Sequence, residues 1–469
     1  MTTSDRVHAF RDDVLGDLDA TGVAELVAAK QIKPREAAEA ALARIEAVRG
    51  LDAVEHLDPD RALDAADREA TGAFAGVPTL VKDNTDVAGW PTGNGSEAYT
   101  PRLARTDSDF VRMWSAQGLT YLGKSRLPEF GFSASTEFMT RPPVRNPWNP
   151  AYSSGASSGG AAALVAAGAV PIAHANDGGG SIRIPAAACG LVGLKPTRGR
   201  ITPDHLDETM PVKVVAQGVV TRSVRDTARF FAAAERTYRN PRLPAVRMVE
   251  GPSATRLRIG VLYDSVTGAS DRDTRAATSD AADLLARLGH RVEEIPLPIT
   301  QQFADDFALY WGFLSWYLTT TGKRGLGADF DPARTDNLTQ GLAAAFRKGF
   351  RRFPAALYRL RRTERSYRAL FTTYDVVLSP VLAHTTPKLG YLSPTADFDR
   401  LFARLYAYVG FTPLNNVSGG PALSLPLSRT RAGLPLASHF SADHGDERTL
   451  LELAYELEQA APFARIQDA

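Results

Sequence analysis

The 469-residue chain is poor in the residues that staple or metallate a fold, with one cysteine and eight histidines. The lone Cys189 excludes an intramolecular disulfide and any zinc cluster built on cysteines. Excess charge is also missing. Lys and Arg number 54 against 53 Asp and Glu, a formal charge of +1 that speaks against a generally basic nucleic-acid binder. The most apolar run, AAALVAAGAVPIA (161–173), stops at His174, short of the roughly 18–20 residues a membrane span needs. The first residues, MTTSDRVHAFRDDV, put charges where a signal peptide has its apolar core. No HExxH and no other tight His/Asp/Glu cluster argues for a catalytic metal, and no repeat period argues for a solenoid. These absences lead us to expect a cytoplasmic protein without metal, cofactor, nucleic-acid partner or transmembrane segment, acting on a small molecule as a monomer or homodimer.

Hydrophobic residues make up 44% and charged residues 23%, which is ordinary for a globular chain able to bury a large core. Apolar positions recur at helical spacing through the first 70 residues, as in VAELVAAKQIKPREAAEAALARIEAV. Strand-like runs follow at 76–84, 119–124, 169–175, 257–263, 292–297, 375–381 and 421–427, with helical patterns such as 274–290 between them. That alternation implies an α/β fold with a large mixed sheet covered by helices on both faces. No Pro/Ser-rich linker divides the chain. The expectation is one domain over 1–469, with N-terminal helices over 1–70, a core over 75–230 and the rest of the sheet over 255–469.

Two motifs point elsewhere. Gly118–Ser125 fits GxxxxGK[ST], a phosphate-binding loop, but a helical pattern precedes the first glycine and LTYL reads as the strand itself. The context is inverted. Gly155-Ala-Ser157-Ser158-Gly159 fits GxSxG, the nucleophile elbow of α/β-hydrolases. The preceding PWNPAYSS reads as a turn, yet His384, His439 or His444 could each supply the base, so this serine hydrolase stays open.

Residues 137–200 differ from the rest. They hold NPWNPAYSSGASSGGAAALVAAG and then NDGGGSIRIPAAACGLVGLKPTRGR, Gly- and Ser-rich loops interleaved with apolar elements. With GVPTLVKDN, LGKSRLPEFGF and FTPLNNVSGGPALSLPL (411–427), this block resembles the amidase signature family. Within it, HANDGGGSIRIPAA is especially similar to actinobacterial amidases and to nylon-oligomer cyclic-amide hydrolases, and urethane-cleaving amidases belong to the same family. The resemblance implies hydrolysis of linear amide C–N bonds by a Ser–cis-Ser–Lys triad. Ser181 would be the nucleophile, Ser157, after a cis peptide, the proton relay, and Lys82 the base. Esters and carbamates would be side substrates. Amidase subunits of transamidation complexes share the pattern and stand as the alternative.

The chemistry is sound without the resemblance. A serine hydroxyl must pass its proton to a base as it attacks. Lysine can accept it only if its reference pKa near ~10.4 falls toward neutrality. Lys82 closes the apolar run GVPTLV, consistent with a strand end pointing into a desolvated site. Gly178-Gly179-Gly180-Ser181 offers consecutive unobstructed N–H groups for an oxyanion hole. Asp177 and Arg183 flank the nucleophile and read as a charged pair supporting its loop, with Ser158 nearby. Cys189, in IPAAACGLVG, reads as a buried small residue.

Two segments bear on specificity and partners. FADDFALYWGFLSWYL (303–318) carries Phe307, Tyr310, Trp311, Phe313, Trp316 and Tyr317. We take Trp311, Phe313, Trp316 and Tyr317 as candidates for a substrate-channel wall suited to aryl or apolar amides. RKGFRRFPAALYRLRRTERSYR (347–368) has nine Lys/Arg and one Glu among apolar residues, the pattern of a solvated helical face or of one that meets an anionic surface.

Overall fold

The computed structural model describes residues 6–68 and 70–468. Thirteen strands occur in chain order: β1 (Val54–Leu57), β2 (Pro78–Lys82), β3 (Thr120–Ser125), β4 (Arg145–Asn146), β5 (Asn149–Ser153), β6 (Ile172–Asp177), β7 (Val192–Lys195), β8 (Ala216–Thr221), β9 (Arg258–Val261), β10 (Arg291–Glu294), β11 (Val376–Pro380), β12 (Ala422–Arg429) and β13 (Pro435–Ser441). Eight of them form one mixed sheet in the order β10-β9-β11-β13-β12-β7-β8-β6. β1, β3 and β2 make a second sheet, and β4 and β5 a two-stranded ladder.

Both faces of the large sheet are covered. Val192 and Leu194, Leu423 and Leu425, and Ile259 and Val261 share one apolar core with the helices Val224–Thr237, Arg272–Arg287 and Glu447–Ala460. On the other face lies the short helix Arg183–Cys189, packed so tightly that a Cβ on Gly193 would sit 2.7 Å from the Ala186 methyl. The α/β reading therefore holds.

The sheet is nevertheless not one continuous ladder. β2 of the small sheet lies beside β6 at the edge of the large one, and side chains bridge them. The Thr79 hydroxyl donates to the Ile172 carbonyl at 2.8 Å, and the Lys82 amide donates to His174 Nδ1 at 3.2 Å. Because Nδ1 accepts, the imidazole proton sits on Nε2, which donates to Gln217 Oε1 at 3.0 Å. Phe110 stacks on the ring at 4.2 Å, and burial lowers its pKa to about 3, so it stays neutral.

Each of the seven strand-like runs overlaps a strand. Missed were β1, β7, β8, β13 and the β4–β5 pair. β13 hides because it buries Ser438, His439 and Ser441 among its apolar residues. PWNPAYSS, read as a turn, holds β5, whose Pro150 needs no ladder donor on a two-stranded edge. The GxxxxGK[ST] match has a packing cause. Gly118 ends the helical turns at φ +86°, and Gly123 lies inside β3, where a Cβ would sit 2.0 Å from the His56 carbonyl oxygen of β1. Lys124 is buried and paired with Asp83 at 3.1 Å. Gly123→Ala should therefore force the β1–β3 pair apart and lower unfolding stability by at least about 2 kcal/mol, read by urea denaturation.

Candidate active site

The site opens where the two sheets meet. Lys82 ends β2 and is fully buried, with its Nζ donating to Ser157 Oγ at 2.7 Å and to Asn176 Oδ1 at 2.7 Å. Burial pushes its pKa down to about 7, against the opposing pull of Asp177. Ser157 follows a cis peptide after Ala156, in the loop between β5 and the buried helix Gly159–Ala166. The turn at Gly131 (φ +71°) presses against it, since a Cβ there would meet Ser157 Oγ at 3.1 Å. Ser158 donates to the Asn176 carbonyl at 3.4 Å.

Ser181 sits in the turn between β6 and the helix Arg183–Cys189. Ser181 and Ser157 line one cavity of about 980 Å³, and their hydroxyls make no direct hydrogen bond. The turn is held from below. Asp177 Oδ1 accepts the Gly180 amide at 2.7 Å, and Oδ2 accepts that of Ile182 at 3.1 Å. Arg183 binds both carboxylate oxygens at 2.9 Å, and the two side chains are completely buried. Burial alone would raise the Asp177 carboxyl; the Arg183 guanidinium and the Asn416 amide hold it well below the carboxylate range.

The remaining guanidinium donors go to Asn415 Oδ1, Asn416 Oδ1 and His439 Nε2. The Thr412 hydroxyl donates to the Gly179 carbonyl at 2.6 Å, which ties that peptide to the segment 411–427. Thr412, Asn415 and Asn416 all come from FTPLNNVSGG, a run noted in the sequence without roles for its residues. Asn176 was likewise inside HANDGGGSIR and not singled out. Nothing in the sequence showed that it would share the Lys82 amine.

Several expectations need correction. Gly180 cannot serve in an oxyanion hole, because its N–H is committed to Asp177. The amides of Gly178, Gly179 and Ser181 have no such commitment among the described residues. None of the three candidate histidines bonds Ser157 as the base of an elbow nucleophile. His439 faces Arg183 and Ser379, His384 stacks on Tyr408 with Nδ1 at the Thr385 carbonyl, and His444 bonds the Ser418 carbonyl. Burial and the adjacent Arg183 keep His439 neutral. Cys189 is buried, and burial raises its thiol pKa.

Of the four channel candidates only Trp311 lines the cavity, joined by Phe307 and Leu314. These lie four and three residues apart on one stripe of the helix Gln301–Gly325. Phe313 and Trp316 face other ways and pack on Phe346 at 5.6 and 5.2 Å, while Tyr317 is exposed. Phe130, Phe132, Ile184 and Val215 complete the apolar walls near Ser181, and Phe307 closes over the turn, 3.5 Å from where a Gly179 Cβ would be. Among the described residues no three His, Cys, Asp or Glu side chains gather as a metal-binding group.

Comparison with known proteins gives a consistent result. A family model described as Amidase matches residues 36–451. AmiC of Mycobacterium leprae, provisionally named an amidase, is 50% identical over 464 residues, covering 98% of this chain and 99% of that one. The 6-aminohexanoate-cyclic-dimer hydrolase of Paenarthrobacter ureafaciens is 35% identical over 481 residues, covering 95% of each. Among solved structures, a 6-aminohexanoate cyclic dimer hydrolase complexed with substrate superposes with a TM-score of 0.87 at 31% identity, covering 97% of this chain and 99% of the other. A bacterial aryl acylamidase superposes with a TM-score of 0.84 at 26% identity, covering 96% and 98%.

The buried ion pair yields a stability prediction. Arg183→Met leaves the Asp177 carboxylate buried without its cation, so unfolding stability should fall by about 3–5 kcal/mol at pH 7. Urea denaturation of the purified variant reads this directly.

Proposed function

The chain belongs to the amidase signature family of enzymes that hydrolyse amide C–N bonds, and from that premise we propose that Ser181 is its nucleophile, with Ser157 as proton relay and Lys82 as base. The observation that carries this reading is the 2.7 Å bond from Lys82 Nζ to Ser157 Oγ, on the floor of the cavity that Ser181 lines. A neutral amine there can take the Ser157 proton while Ser157 takes that of Ser181.

Ser181 Oγ then attacks the carbonyl carbon, and the developing oxyanion lies against the amides of Gly178, Gly179 and Ser181. Collapse breaks the C–N bond, and the proton held by Lys82 returns through Ser157 to the leaving nitrogen. An ester on Ser181 remains. Water repeats the sequence, giving up its proton to the same relay and releasing the carboxylic acid. The same acyl transfer accommodates esters and carbamates. The walls formed by Phe307, Trp311, Phe130 and Ile184 favour aryl or otherwise apolar amides, in keeping with the aryl acylamidase and the cyclic-dimer hydrolase among its structural neighbours.

Two experiments test the reading. A fluorophosphonate should label Ser181 and no other serine, located by peptide mass spectrometry, and Ser181→Ala should lose label and turnover while keeping its melting temperature. Label on Ser157, or substantial turnover by the variant, would refute the assignment. In the second, kcat/KM should rise about tenfold per unit of increasing pH below pH 7 and level off above it. The sign follows from the base, since a protonated Lys82 cannot accept a proton, and its amine titrates at about 7. A profile flat from pH 5 to 9 would remove Lys82 from the mechanism.

A further inference from the structure

The basic stretch takes no part in the site, and its geometry is unusual. It spans the end of the helix Asn337–Gly349 and most of the helix Phe353–Leu370. All nine of its cations are exposed. Arg359 pairs with Asp306 and Arg368 with Asp443, while Glu364, the segment's one acid, faces Arg198. The other seven (Arg347, Lys348, Arg351, Arg352, Arg361, Arg362 and Arg365) have no ion pair among the described residues. Since the whole chain carries only +1, the rest of the molecule is net acidic and the positive charge is concentrated here.

Aromatic exposure converges on the same place. Tyr317, Phe350 and Tyr358 are the exposed aromatic side chains among the described residues, at 56%, 55% and 62%. Tyr358 shares a helical stripe with Arg362 and Arg365, four and seven residues further on, and Arg351 lies in the short 3-10 turn Phe350–Arg352 that leads into this helix. Ala356, Leu360, Thr363 and Tyr367 turn inward on the opposite face. Arg351 lies 6.0 Å from the Phe350 ring centre and Arg362 lies 5.4 Å from that of Tyr358. Tyr317 joins through Phe313, whose ring stacks on Phe353 at 4.6 Å, where the helix Phe353–Leu370 begins.

From this arrangement we propose that the helical face built on Phe350, Arg351, Tyr358, Arg362 and Arg365 docks the enzyme on an anionic lipid bilayer, lying in the headgroup layer without crossing it. Unpaired arginines attract the anionic leaflet, and an aromatic ring with an apolar body and a wet edge suits the interface. A second copy of the chain is a poor occupant, because self-docking would bring two sets of like charges together. Nucleic acid would use the cations and leave the Phe350 hydrocarbon in water. No described helix is long and apolar enough to cross a membrane, so attachment here is peripheral.

Flotation with vesicles of phosphatidylcholine alone, and of phosphatidylcholine with about one-third phosphatidylglycerol, tests this at about 0.1 M salt. Binding to the anionic vesicles should be at least about tenfold stronger and should largely disappear at about 0.5 M salt. The variant R351A/R362A/R365A should lose it, and F350A/Y358A should weaken it several-fold. Both should keep the parent melting temperature and hydrolysis of a soluble amide. Equal flotation with both vesicle types, no flotation, or binding untouched by these substitutions would overturn the proposal. So would a gel shift of duplex DNA without flotation, or a dimer that falls to monomer in the triple variant without lipid binding.

Discussion

The buried pair of Asp177 and Arg183 is the interaction on which the site's shape rests. One carboxylate and one guanidinium, both removed from water, have between them enough donors and acceptors to fix three pieces of chain, the Ser181 turn, the helix Pro413–Ser418 and β13. The carboxylate grips the turn on either side of Ser181, and the guanidinium reaches across to Asn415 and Asn416 of the helix Pro413–Ser418. Asn416 answers by donating to the Asp177 backbone carbonyl at 2.8 Å. Such a pair is costly to bury and tolerable only when every polar atom is satisfied. Here the partners come from segments more than 230 residues apart, so the turn is fully braced only when the helix Pro413–Ser418 is in place.

Perturbed acidity alone would not have located this centre. Lys195 is as buried as Lys82, and burial lowers its pKa to about 7 as well, with Arg183 adding to the effect. Among the described residues its amine donates only to the neighbouring Pro196 carbonyl, at 2.7 Å. What separates the two lysines is geometry: Lys82 meets a serine hydroxyl at the edge of a cavity, and Lys195 meets backbone. His174 and His439 make the same point from the other side. Both are deeply buried, both are neutral, and both serve as hydrogen-bond parts of the frame.

The sequence was most legible where chemistry and backbone demand coincide. The α/β alternation could be read from periodicity, while the cis peptide before Ser157 and its pairing with Lys82 were expected through the family resemblance that the Gly- and Ser-rich motifs carry. Polar residues buried for structural reasons left none. β13, with Ser438, His439 and Ser441 inward, was not recognised as a strand, and Asn176, Thr412, Asn415 and Asn416 acquire roles only through partners far away in the chain. The aromatic helix shows the limit of composition. Six rings within eleven residues suggested a wall, but at 100° per residue only one stripe can face the cavity, and Phe307, Trp311 and Leu314 occupy it.

The junction between β2 and β6 has a consequence for how finely the centre is aligned. Within a ladder, regular main-chain bonds fix which residue lies opposite which, and a slip by one residue sends every side chain to the wrong face. Here no ladder joins the strand that carries Lys82 to the strand that carries Asn176 and leads into Ser181. The Thr79 hydroxyl and the His174 ring act as two dowels, and the phasing of base against serine is keyed by side chains. Alignment at this joint is thereby open to tuning by single substitutions, a freedom that a continuous ladder would deny.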